Sequence, residues 1–307
     1  MEKKIVKKID IHVHSVLYHG CPRLNGTDYT TPDELRYIYD RFGIEKGVQL
    51  PVVSPEEASP RIHTSDDAYI LAKKYPETYY WFCNIDPRFG HNSPDTDLSR
   101  FINYYKDLGA KGCGECSPGL YFDDPLMFNL FKHLEKCGMP VTFHIGDMGG
   151  DYGIVDEVGL PRLEKALAAF PGLKFLGHSQ KFWAEISGDC TEALRNGYPG
   201  GKVVPGGRVP ELMRKYPNLC GDMSAGSGYN AFSRDPEFAY GFIEEFQDRL
   251  YFGTDICAKE NITNPMLRLA SFLDDAMTRE KISYEAYYKV SRGNALVLLG
   301  EAKTNLP

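Results

Sequence analysis

The sequence has no excess of basic charge and no long hydrophobic run. Its 35 Lys and Arg against 42 Asp and Glu give a net charge of -7, which argues against a general nucleic-acid or anionic-membrane binder. No apolar segment long enough for a signal peptide or a membrane-spanning helix follows the N-terminal lysines, so the expected location is the cytoplasm, with no membrane partner. No Gly-x-Gly-x-x-Gly follows the first apolar run, which argues against an open doubly wound sheet, and neither glycine-rich stretch matches a P-loop, although either could cradle a phosphate. No second cysteine pair stands at zinc-ribbon spacing beside Cys113 and Cys116. Nor is there a linker-like or charge-biased boundary, so residues 1–307 read as one domain. The eight scattered cysteines read as reduced, packing thiols rather than a disulfide framework. On a regular strand Cys113 and Cys116 face opposite sides.

What is present is an alternation. Short runs rich in Val, Ile, Phe and Tyr predict strands near 8–14, 46–53, 79–86, 110–117, 140–144, 173–178, 218–223 and 249–254. Helical segments separate them. Thr31-Pro32-Asp33-Glu34 fits a capping box with proline at the first helical position, Asp124-Pro125 and Asp235-Pro236 repeat the cap-then-proline pattern, and Leu35, Ile38, Tyr39 and Phe42 share one helical face. Eight strand-helix repeats in a chain of this length predict an α/β fold, a closed (β/α)8 TIM barrel, rather than an open doubly wound sheet. The glycine-rich stretches 146–153 and 197–207 read as flexible loops after strands five and six.

Barrel chemistry sits at the C-terminal ends of the strands. In Ile9-Asp10-Ile11-His12-Val13-His14, a regular strand points His12 and His14 one way and Ile9, Ile11 and Val13 the other, so two imidazoles aim at one point. Glu115 ends strand four, His144 strand five, His178 strand six and Asp255 strand eight. Each alone suits a hydrogen-bonded or capping role. Together at one rim they need partners, and a divalent metal supplies one for all of them. His19, Arg61, His63, Lys181, Trp183, Arg208, Tyr229 and Lys259 lie in loops near the same rim. Of these, Arg61, His63, Lys181, Trp183 and Tyr229 are the substrate-binding candidates, and an arginine gripping a substrate carboxylate belongs to this loop set.

The opening motif, Gly112-Cys113-Gly114-Glu115, Phe143-His144, Gly177-His178, Phe252-Gly253-Thr254-Asp255 and the closing 293–300 segment together resemble the amidohydrolase superfamily. More narrowly, the chain resembles its amidohydrolase-related (amidohydrolase 2) branch of metal-dependent hydrolases and decarboxylases. The resemblance implies that His12, His14, His144 and Asp255 bind or face the metal, and that His178 polarises substrate or moves protons. It leaves Glu115 open. One zinc with Glu115 as an added ligand or close neighbour is preferred; the alternative is two ions bridged by Glu115, with the strand-five and strand-six histidines, His144 and His178, holding the second. Manganese and iron also suit the donor set.

The expected reaction is hydrolysis of a lactone, amide or related carbonyl compound by a metal-activated water, with Asp255 as base and His178 steadying the oxyanion. One alternative is nonoxidative decarboxylation of an aromatic or muconate-like acid; another is a noncatalytic metal-binding barrel. The expected partner is a small neutral or anionic metabolite, and dimers are common among related barrels.

Overall fold

The computed structural model describes residues 4–54, 63–147 and 152–301. Eight parallel strands form a ring: β1 Lys8–Val13, β2 Ile44–Gln49, β3 Tyr79–Trp81, β4 Cys113–Cys116, β5 Val141–Gly146, β6 Phe175–His178, β7 Leu219–Asp222 and β8 Leu250–Tyr251. Ladders join β1 to β2 to β3, and β4 to β5 to β6 to β7 to β8. Two seams close it. A backbone β-bridge between Cys83, just beyond β3, and Cys113 of β4 makes one, and Val13 pairs with Ile256 while Ile11 N–H donates to the Phe252 carbonyl at 2.9 Å to make the other. The fold is the expected (β/α)8 barrel.

Each strand lies where the apolar runs place it, because a parallel strand covered on both faces reads as continuous hydrophobic sequence. β8 is the shortest against expectation. Beyond Tyr251 the Phe252 N–H turns to the Val290 carbonyl and the Thr254 N–H to Asp10, so the ladder to β7 stops early. A further parallel pair, Pro118–Tyr121 with Gly153–Val155, extends the sheet beyond β5. The first glycine-rich stretch therefore ends in a strand. Gly153 is required there, since a Cβ would sit 2.2 Å from the Gly146 nitrogen. The second stretch is pinned rather than flexible: Val204 N–H donates to Ser187 Oγ at 2.8 Å, and a Cβ on Gly207 would meet the Ile186 carbonyl at 2.0 Å.

Helix starts follow the sequence in two of the three marked places. Glu34 accepts from the Thr31 N–H ahead of helix Pro32–Phe42, and Asp124 from the Leu126 N–H ahead of Pro125–Cys137. Asp235 precedes helix Pro236–Phe246 without capping it, because its carboxylate accepts from the Val203 N–H at 3.0 Å. Leu35, Ile38 and Tyr39 are buried against the barrel as the periodicity predicts, with Phe42 half-buried beside them. Among the described residues no helix is long and apolar enough to cross a membrane.

The end opposite the site is fastened by a buried cation. Lys8 is 1% exposed and pairs with Asp274, which also accepts from Tyr287 Oη at 2.6 Å. Burial pulls the Lys8 ammonium below its ordinary pKa, with Asp274 opposing. Asp274→Ala leaves that cation without its counter-charge and is expected to lower stability by about 3–5 kcal/mol. Urea unfolding reads this directly, and a loss under about 1 kcal/mol would show that the pair is not needed.

Candidate metal centre

The C-terminal ends of the strands bring the predicted residues together, by a route the sequence did not disclose. β1 does not alternate regularly: its pairing to β2 shifts between Asp10 and Val13. Ile9 and Ile11 join an apolar layer with Val48, Leu50, Phe82 and Leu176, whereas Val13 packs with Tyr39 of the outer helix. The expected opposition of His12 and Ile11 is thus relaxed. The imidazoles still converge, with His12 Nε2 and His14 Nε2 3.0 Å apart.

Around that pair stand two carboxylates. Glu115 Oε2 is 3.7 Å from His12 Nε2 and 3.5 Å from His14 Nε2, and Asp255 Oδ1 is 3.7 and 3.4 Å from the same atoms. Four donors sharing a tetrahedral ion at zinc bond lengths lie about 3.3–3.6 Å apart. The five separations, 3.0–3.7 Å, bracket that spacing. His144 meets Glu115, its Nδ1 lying 2.8 Å from Oε1, and His178 Nε2 is 3.6 Å from that same oxygen. Glu115, His144 and His178 therefore form a second grouping on the far side of the Glu115 carboxylate.

Two residues behind the cage were not foreseen. Asp222, at the end of β7, sets Oδ2 2.7 Å from His12 Nδ1, the carboxylate-to-histidine contact that orients a ligand imidazole. Ser224 Oγ lies 2.9 Å from His178 Nδ1 and 3.3 Å from His12 Nδ1. Asp222 could have been found by extending the strand-end search to strand seven; nothing in the local sequence marks Ser224. Backbone strain gathers here too. Ser179, Ala225 and Asp255 are non-glycine residues at φ of 104°, 64° and 59°, each beside or within the cluster.

The other candidates are dispersed. His63 is buried with its ring 4.2 Å from that of Tyr29, which is in turn 6.1 Å from His14. Lys181 donates to Asp147 at 2.7 Å, so its charge is already matched. Trp183 is a correction: it is 1% exposed among Phe182, Phe232 and Phe242, with Nε1 donating to the Asp222 carbonyl, and so supports the site from the core. Tyr229 is half-buried on helix Ala225–Ser233. Arg61 lies outside the described residues. Arg208 is held by Glu164 and Glu211, His19 by Asp28 and Glu34, and exposed Lys259 lies near Glu34. A loop arginine beside the cluster is Arg23, whose Nη2 donates at 2.6 Å to the carbonyl of Cys257, two residues from Asp255. Cys113 and Cys116 do not face apart: the irregular β4 register brings their sulfurs to 3.8 Å.

The electrostatics fit a divalent cation. Burial disfavours charge on His12, but Asp222 and Glu115 outweigh it and raise its pKa to about 10. His14 is likewise raised against burial, by Asp255 and Glu115. Burial, reinforced by charge on His12, instead lowers His178 to about 4. The carboxylates thus call for two positive charges at His12 and His14, the charge that one divalent ion brings. Ligation requires neutral imidazoles, so in chelator-stripped protein at pH 8 an incoming ion must expel the proton held on His12. Proton release on metal addition is expected, with apparent affinity rising about tenfold per pH unit per proton expelled between pH 7 and 9. A weakly buffered indicator titration measures it, and affinity flat across that range would contradict it.

No family model and no curated protein matches the chain, but solved structures do. An amidohydrolase II is similar over 96% of this chain and 100% of its own, at 17% identity and a TM-score of 0.56. A probable 2-pyrone-4,6-dicarboxylic acid hydrolase from Acinetobacter baumannii, with citric acid bound, is similar over 96% and 100%, at 12% identity and a TM-score of 0.53. 5-Carboxyvanillate decarboxylase from Novosphingobium aromaticivorans, complexed with manganese and 4-hydroxy-3-methoxy-5-nitrobenzoic acid, is similar over 97% of both chains, at 17% identity and a TM-score of 0.60. At such identities the likeness establishes the fold. The chain has the TIM-barrel fold, shared with solved structures that include a probable hydrolase and a decarboxylase.

Proposed function

We propose that the chain is a metal-dependent hydrolase of the amidohydrolase superfamily, acting on a lactone, amide or related carbonyl compound that carries negative charge. The observation that carries this reading is the unequal exposure of the cage: the Asp255 side chain is 25% exposed, against 0% for His12, 6% for His14 and 5% for Glu115. One carboxylate of the set therefore faces the mouth. His12, His14, Glu115 and Asp255 would hold one ion, zinc by preference and manganese otherwise, with His144 bracing Glu115. A bound divalent ion supplies Lewis acidity and lowers the pKa of water from about 16 toward about 7. Asp255 accepts the proton of the attacking water and returns it to the leaving oxygen or nitrogen, while His178 donates a hydrogen bond to the developing oxyanion. Arg23, fixed beside Cys257 and stacked 4.7 Å over Tyr29, suits a substrate anion.

Arg23 equally suits a carboxylic acid that loses CO2, with Asp255 or His178 protonating carbon, so decarboxylation is the second reading. Elemental analysis of protein purified without chelator, followed by a lactone and carboxylic-acid panel in 18O-labelled water, tests both. Hydrolysis places solvent oxygen in the product. CO2 release without labelled product replaces the first reading by the second, and a metal-loaded protein that turns over nothing leaves only a noncatalytic barrel.

A further inference from the structure

We propose that Ser224 is a positioning residue that fixes His178 in the tautomer carrying hydrogen on Nε2, so that His178 offers the centre a donor rather than a ligand lone pair. The inference rests on the metal-centre reading for its meaning, though not for its geometry.

Ser224 is fully buried, and its hydroxyl hydrogen needs an acceptor. Among the described residues two nitrogens are within reach: His178 Nδ1 at 2.9 Å and His12 Nδ1 at 3.3 Å. The second is not available as an acceptor. His12 Nδ1 lies 2.7 Å from Asp222 Oδ2, and a carboxylate in that contact accepts, so Nδ1 of His12 carries the hydrogen. The Ser224 hydroxyl must then donate to His178 Nδ1. A neutral imidazole has one N–H, which is left on Nε2. The opposite tautomer would set His178 Nδ1–H against the hydroxyl and leave the buried hydroxyl hydrogen without an acceptor.

The far side of the ring agrees. His178 Nε2 faces two carboxylate oxygens, Glu115 Oε1 at 3.6 Å and Asp255 Oδ2 at 3.9 Å, surroundings that favour a donor. With hydrogen on Nε2, His178 must give up its contact with Ser224 or expel that hydrogen before it can ligate, so a second ion with Glu115 and His144 is held more weakly than the first. The chain Asp222–His12 and Ser224–His178 sets the two rings oppositely, one as ligand and one as donor.

The test is long-range 1H–15N correlation on full-length protein labelled at histidine nitrogen and loaded with zinc, with the His178 signals assigned from a His178→Gln sample. Expected are a protonated Nε2 and an unprotonated Nδ1 on His178, and one zinc per chain. In Ser224→Ala, Nδ1 is expected to take the hydrogen and turn to Asp222 Oδ2, now 3.7 Å away, with a second, weaker zinc at raised concentration; Ser224→Thr retains the original pattern. A protonated Nδ1 or a zinc-bound Nε2 in the unaltered protein overturns the proposal, as does a Ser224→Ala spectrum unchanged at His178. The unaltered protein decides the matter should the variants not fold. Failure to bind zinc counts against the metal centre instead, and the tautomer is then read on the metal-free protein.

Discussion

Asp255→Asn is expected to keep its ion and lose about two to four orders of magnitude in turnover, the usual contribution of a positioned general base. The substitution is gentle everywhere except at the proton. Asp255 sits at φ 59°, a left-handed conformation that asparagine tolerates better than most residues. Its N–H donates to the His12 carbonyl at 2.8 Å, and the neighbouring Thr254 is held by Asp10 through both its N–H and its hydroxyl, so the backbone that presents the side chain does not depend on the carboxylate. An asparagine carbonyl can occupy the place of Oδ1 near His12 and His14. It cannot accept a proton from water. Turnover and bound metal should be measured on the same preparation: near-normal turnover removes Asp255 from the base role, whereas loss of the ion with the activity shows that its negative charge is needed for binding.

The barrel was legible because its rule is simple. Strands buried on both faces are apolar throughout, and the polar residue that ends each run marks the active rim; His12, His14, Glu115, His144, His178 and Asp255 were all found this way. Three things were not legible. The register shift in β1 depends on pairing to β2, which sequence spacing does not encode, so the regular alternation of Ile9, Ile11 and Val13 against the histidines does not hold although the histidines converge. The same applies to the irregular β4, which brings Cys113 to Cys116. Supporting groups were missed because their chemistry is ordinary: a serine after strand seven looks like any loop serine until it lies 2.9 Å from His178. Trp183 misled in the opposite direction. Its place just after a ligand-bearing strand suggested substrate contact, but a side chain of that size on helix Gln180–Ala184 fills the space behind β7 instead.

Glu115→Gln is the second large effect, and it separates the one-ion arrangement from one in which Glu115 is a bystander. The carboxylate is 4% exposed and touches four imidazoles, with Oε2 toward His12 and His14 and Oε1 toward His144 and His178. Its main chain is clamped from the segment after β3, where Asn84 Nδ2 donates to the Glu115 carbonyl at 2.6 Å and to that of Pro51 at 2.9 Å. The amide therefore enters a preformed position and changes charge with little change of shape. Removing one partner from a buried charge pair costs about 3–5 kcal/mol, which at about 1.4 kcal/mol per decade is a loss of roughly two to three and a half orders of magnitude in ion affinity. Competition against a chromophoric chelator at pH 8 measures it, and activity should follow occupancy as metal is added back. If Glu115 only orients His144, the loss should be no more than the ten- to hundredfold typical of groups behind the ligands. A loss below about tenfold would place the carboxylate outside the ion's surroundings, leaving His12, His14 and Asp255 as a three-ligand site with one position open to solvent.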